Sequence, residues 1–107
     1  VKLKKTGSDD TILWSEESDN YTRRAFEGEN DPYNNPDRKS YIEKISKLFE
    51  TNSFKPQSIL HIGCSAGFSF PFYQKSFQNA KLYGIDPGKE SIQIAKEKFS
   101  GDGGGRI

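Results

Sequence analysis

Among its 107 residues the chain has one cysteine, one histidine, one tryptophan and no methionine. A lone cysteine excludes an intrachain disulfide and a cysteine-based zinc cluster. With a single histidine beside it, no dedicated transition-metal site is expected. No apolar run approaches the ~20 residues that span a bilayer. The opening VKLKKTGSDD is basic but lacks the apolar core of a signal peptide. The expected setting is therefore cytoplasmic, with no membrane partner. An excess of one charge is missing too: 16 Lys and Arg stand against 15 Asp and Glu, interspersed, for a net charge of +1. That leaves no electrostatic footprint for nucleic acid. Starting at Val1 with no methionine, the chain is expected to be a processed or trimmed piece of something longer.

Aromatic residues are plentiful, with eight Phe and five Tyr, which argues against a disordered chain. The length suits one small domain. Residues 1–35 read as an irregular N-terminal arm. DNYTRRAFEGENDPYNNP is punctuated by turn formers, and Trp14, Tyr21 and Phe26 are its only large anchors. Tyr21 and Trp14 suit a flap over a site or simple packing.

Residues 36–107 carry the regular pattern. Asn35 can cap a helix, Pro36 suits its first position, and Asp37 complements the positive end of the dipole. Tyr41, Ile42, Ile45, Leu48 and Phe49 recur at helical spacing, predicting a helix over 36–51. Ser58 to Ile62 predicts a short buried strand. A helix is expected over about 67–78, with Pro71 harmless in its first turn. Lys81 to Ile85 predicts a second strand, and KESIQIAKEKF a helix with Ile92, Ala95 and Phe99 on its buried stripe. Two strands joined by a helix open a doubly wound α/β fold, with ligands expected at the carboxyl edge of the sheet.

The loop after the first strand is GCSAG. Gly63 and Gly67 bracket three small residues, so a ligand can approach the backbone closely. Asp86 ends the second strand 19 residues after Gly67, where an acceptor-only carboxylate can receive both hydroxyls of a ribose. A P-loop would need Lys-Ser/Thr after the glycines, and Phe68-Ser69 stands there instead. The Gly-x-x-x-Gly spacing fits a dinucleotide fingerprint poorly. An adenosine-type cofactor without a pyrophosphate remains.

ILHIGCSAG resembles the first motif of class I S-adenosylmethionine-dependent methyltransferases, and LYGIDPGKESIQIAKEKF resembles their second. The likeness spans residues 57–100 with the right separation between motifs. It implies a Rossmann-like doubly wound parallel sheet, truncated here after the second strand and its helix. It also implies that S-adenosyl-L-methionine binds with its methionine part against Gly63, Cys64, Ser65, Ala66 and Gly67. Asp86 would hold the ribose, with Pro87 and Gly88 near the adenine. His61 stands where that family usually has an acidic residue to receive the cofactor's ammonium. A neutral imidazole can accept a hydrogen bond but supplies no negative charge. Cys64 reads as a packing residue rather than a nucleophile.

The expected activity is methyl transfer to a small-molecule acceptor by a complete enzyme, with the 107-residue chain inactive alone. Two strands and three helices offer little core, so self-association or a further C-terminal part is expected. A non-catalytic nucleotide-binding or interaction module is the alternative, and an NAD-dependent oxidoreductase fragment a third reading.

Overall fold

A computed structural model describes residues 8–99 and 105–106, with side chains from 13 to 99. The elements in order are α1 (Ser8–Gly28), a 3-10 turn (Pro32–Asn34), α2 (Pro36–Thr51), β1 (Ser58–Ile62), α3 (Phe70–Ser76), β2 (Lys81–Ile85), α4 (Lys89–Phe99) and β3 (Gly105–Arg106). The strands form one parallel sheet in the order β1-β2-β3. This is an α/β architecture in which helices predominate.

The start of α2 follows local rules. Asn35 is extended at φ −67° and ψ 124°, and its side chain accepts hydrogen bonds from the Asp37 and Arg38 amides, with Pro36 inside the first turn. Those bonds satisfy donors that a helix start otherwise leaves open. Ile42 is buried against Phe72 and Phe77, with Ile45, Phe49 and Ile59 around them. The other two residues of the predicted stripe, Tyr41 and Leu48, are exposed.

Four expectations need correction, the last concerning β1. Residues 1–7 lie outside the described residues. Over its described residues, the arm expected to be irregular over 1–35 is largely helical, because α1 runs from Ser8 to Gly28. Its large apolar residues Leu13, Trp14, Tyr21 and Phe26 are exposed, while Asp19, Thr22 and Ala25 are buried. The inward stripe is therefore polar or small at helical spacing, and hydrophobic periodicity cannot register it. The helix expected over about 67–78 is shorter, at Phe70–Ser76. Gly67 N donates to Cys64 O at 2.9 Å and Phe70 N to Gly67 O at 3.0 Å, so turns consume the first residues of the segment. The sheet also does not end at its second strand, since β3 pairs with β2 through Leu82↔Gly105 and Tyr83↔Arg106.

β1 is covered on one face only, which differs from the buried strand predicted. Ile59 packs with the α2–α3 cluster and His61 with the Phe70 and Tyr73 rings, while Leu82 and Gly84 of β2 are also buried. The register Leu60↔Tyr83 and Ile62↔Ile85 gathers four exposed apolar residues on the opposite face. Parallel sheets are ordinarily covered on both sides. Self-association or additional secondary structure, expected from the small core, would bury this face. No helix among the described residues is long and apolar enough to cross a membrane.

Candidate functional site

Because β1 and β2 run parallel in matched register, the loops that follow them leave the same edge of the sheet. Gly63 N and Cys64 N both donate to Ile85 O, at 2.8 and 3.1 Å, so the first turn is tied to the end of β2. Gly63 and Gly67 take φ values of 76° and 79°, in the left-handed region where glycine carries no steric penalty. A Cβ on Gly67 would meet the Phe99 ring at 2.7 Å, whereas one on Gly63 would meet nothing within 4 Å. The loop is thus packed from below at one glycine and open at the other.

Ser65 is also left-handed, at φ 50°, a conformation uncommon for residues with a side chain. Its amide donates to Asp86 Oδ1 at 2.9 Å, which holds it there. Asp86 Oδ2 accepts from Gly88 N at 2.9 Å and from the Ser18 hydroxyl of α1. One carboxylate therefore joins the GCSAG loop, the turn into α4, and the N-terminal helix. An ionised carboxylate offers about four acceptor positions, and hydroxyl and amide donors are the partners it uses here.

The predicted residues separate into two groups. Ser65 and Asp86 meet at the sheet edge, with Gly63 beside them and Pro87 exposed in the next turn. Cys64 and Ala66 point into the core, 2 % and 0 % exposed. The Cys64 thiol packs with Phe70 and Phe99, and burial, with the Asp86 charge adding, pushes its pKa up to about 11. A thiol so protonated is no nucleophile. The Ala66 carbonyl accepts from the Tyr33 hydroxyl at 2.7 Å. His61 lies on the helix-covered face between Phe70 and Tyr73, and its buried Nδ1 has no hydrogen-bond partner among the described residues. Among the described residues no group of three His, Cys, Asp or Glu is placed to hold a metal ion.

Asp19 is the residue sequence reasoning missed. Its carboxylate accepts from Ser91 N and Ser91 Oγ at 2.9 and 2.8 Å and from Glu90 N at 3.3 Å, capping α4 from another helix. Thr22 and Ser91 hydroxyls lie 2.6 Å apart, and Arg23 pairs with Glu90. The spacing of Ser18, Asp19 and Thr22 was the available signal, but nothing local says which partner such a stripe meets.

The shifts of His61 and Asp19 predict a loss of stability in acid. Burial pushes the His61 imidazole below its ordinary 6.5, with the Asp86 charge pulling the other way. The folded ring stays neutral while the unfolded chain takes up a proton, so its contribution is complete above 6.5 and declines as pH falls toward the lower folded value. For Asp19, burial raises the pKa, but the Ser91 and Glu90 hydrogen bonds and the Arg23 charge outweigh it. The carboxyl is held below its ordinary 3.8. Its stabilisation is complete above that value and is lost as pH falls through the folded one. The thermal midpoint is expected to drop in two acid phases, with His61→Phe removing the upper one. A wild-type midpoint that stays flat from about pH 7 to about pH 5 would contradict a neutral, buried imidazole.

No family model matches the chain, and comparisons with curated proteins and with solved structures brought no match.

Proposed function

We propose that this chain is the cofactor-binding half of an S-adenosylmethionine-dependent methyltransferase acting on a small-molecule acceptor. The observation that carries the reading is the 2.9 Å bond from Ser65 N to Asp86 Oδ1. It sets a left-handed small-residue loop and an acidic strand end side by side on the carboxyl edge of a parallel sheet, where α/β folds take their ligands. In this reading the Gly63–Gly67 backbone lies against the methionine part, and its open side is at Gly63. Asp86 accepts the ribose hydroxyls, as it accepts the hydroxyl of Ser18. Pro87 and Gly88 pass beside the adenine. His61, packed beneath α3, is left out of the cradle. When bound, the cofactor supplies an electrophilic methyl group on sulfur, and the protein supplies orientation.

A second reading is a nucleotide-binding or interaction module without catalysis. It is favoured by the full set of internal donors on Asp86 and by the uncovered apolar sheet face. Calorimetric titration with S-adenosylhomocysteine and, separately, with NAD tests both. Saturable binding of S-adenosylhomocysteine is expected. Binding of NAD alone would replace the methyltransferase reading by an oxidoreductase one, and binding of neither by a folded chain would favour the module.

A further inference from the structure

The contact of α1 with Asp86 is chemically a ligand contact. A hydroxyl from a residue 68 positions away donates to Oδ2, which is the interaction a ribose hydroxyl would make. We propose that α1 is a built-in competitor: Ser18 occupies the ribose position on Asp86, and the turn that bears it must leave before an adenosyl ligand binds. This rests on the function proposed above.

The two halves of α1 are attached differently. Around Ser18 the contacts are polar: Ser18 with Asp86, Asp19 with Ser91 and Glu90, and the Ser18 carbonyl with Ser91 Oγ at 3.4 Å. These are hydrogen bonds whose donors and acceptors can pair with water or with a ligand's hydroxyls once the turn lifts, so their loss can be made good in a way that lost apolar packing cannot. One turn earlier, Leu13 and Trp14 are 53 % and 64 % exposed. Toward its other end the helix is held by apolar packing. Ala25 is buried with Ala66 and Phe68, and Phe26 meets the Phe68 ring edge-on at 5.4 Å. Glu29, just beyond the helix, takes two hydrogen bonds from the Arg38 guanidinium, at 2.7 and 3.0 Å. The amino-terminal turns can therefore lift while the remainder stays seated.

Gly88 shows how closely α1 is fitted. A Cβ there would meet Asp19 Oδ1 at 2.5 Å and Ser18 Oγ at 2.8 Å. Only a residue without a side chain lets Ser18 reach the carboxylate. The helix is thus accommodated at the very point where the ligand would sit, and ligand and helix exclude each other there. Mutual exclusion lowers the apparent affinity by the fraction of molecules in which α1 is seated.

Titration of the full chain with S-adenosylhomocysteine, combined with amide hydrogen exchange, tests this. Ser18→Ala keeps or improves helix propensity and removes the competing hydroxyl, so binding about threefold to tenfold tighter than wild type is expected. Saturating ligand should accelerate exchange over residues 14–22 of the wild type and leave 23–28 protected, with a change in emission from Trp14. Gly88→Ala provides a test without ligand, because the added Cβ should wedge α1 outward and raise exchange over the same residues. Binding that is equal or weaker in Ser18→Ala, with α1 exchange unmoved by ligand, would overturn the competitor role and leave the binding site standing. Absence of binding by both wild type and Ser18→Ala would overturn the binding site itself, and the competitor with it.

Discussion

Replacing Phe70 with alanine is expected to cost about 3–5 kcal/mol, a large part of the about 5–15 kcal/mol that holds a domain of this size. Phe70 opens α3 and is 1 % exposed. Its ring stands edge-on to Phe99 at 5.2 Å and lies 6.2 Å from the His61 ring. It also fills the space over Gly84, where a Cβ would meet its Cζ at 2.5 Å and the Cys64 sulfur at 2.8 Å. The buried residues fall into three small clusters rather than one large core, and Phe70 is the central ring of the one that holds Cys64 and Phe99. Denaturant titration followed by circular dichroism should show a large drop in midpoint, and Phe70→Leu a much smaller one. Equal midpoints for wild type and Phe70→Ala would mean that the α3–sheet contact is not the stabilising one. The loss reaches the site as well, since Cys64 of the loop packs on the same ring.

Asp86→Ala should have the second large effect, on folding and on binding together. It leaves Ser65 N, Gly88 N and the Ser18 hydroxyl without their acceptor. A hydrogen bond to a charged group contributes about 1.5–3 kcal/mol net, so a loss of at least about 2–3 kcal/mol is expected even where water reaches the freed donors of this part-buried turn. Ser65 would also lose the bond that keeps it left-handed. Affinity for S-adenosylhomocysteine should fall about tenfold to hundredfold if the carboxylate receives the ribose. Asp86→Asn, which keeps one acceptor oxygen, should retain more of the fold than of the binding. Unchanged affinity in a folded Asp86→Ala chain would remove the ribose assignment.

Much of this site was legible from local sequence, for physical reasons particular to each residue. The start of α2 could be read because Asn35 and Pro36 act on amides within three positions of themselves. β1, β2 and α4 could be located because a short apolar run bounded by turn formers, or a stripe at helical spacing, marks an element, although the run did not tell which strand face is covered. The Gly63–Gly67 turn and Asp86 were paired by separation alone, and the parallel register places them together. Ser65 takes a left-handed backbone, the conformation glycine adopts most readily, and nothing in its residue type announces it.

α1 was missed because its inward stripe is half-buried Ser18 with buried Asp19, Thr22 and Ala25, while Leu13, Trp14, Tyr21 and Phe26 are exposed. Polar burial has no periodic signature until its partners are known, and here those partners lie about seventy residues away on α4 and Asp86. The side on which His61 falls was likewise undetermined, because strand alternation assigns it to one of two faces without saying which face the helices cover.

By itself, then, the sequence determined the local elements: the cap, the small-residue turn, the acidic strand end, and the order that sets two loops on one sheet edge. Only the tertiary structure decided that one sheet face carries the helices while the other exposes Leu60, Ile62, Tyr83 and Ile85. It alone decided that a hydroxyl from α1 sits on Asp86. Capping and periodicity act within a few residues, whereas docking depends on which distant surfaces can satisfy each other's polar groups.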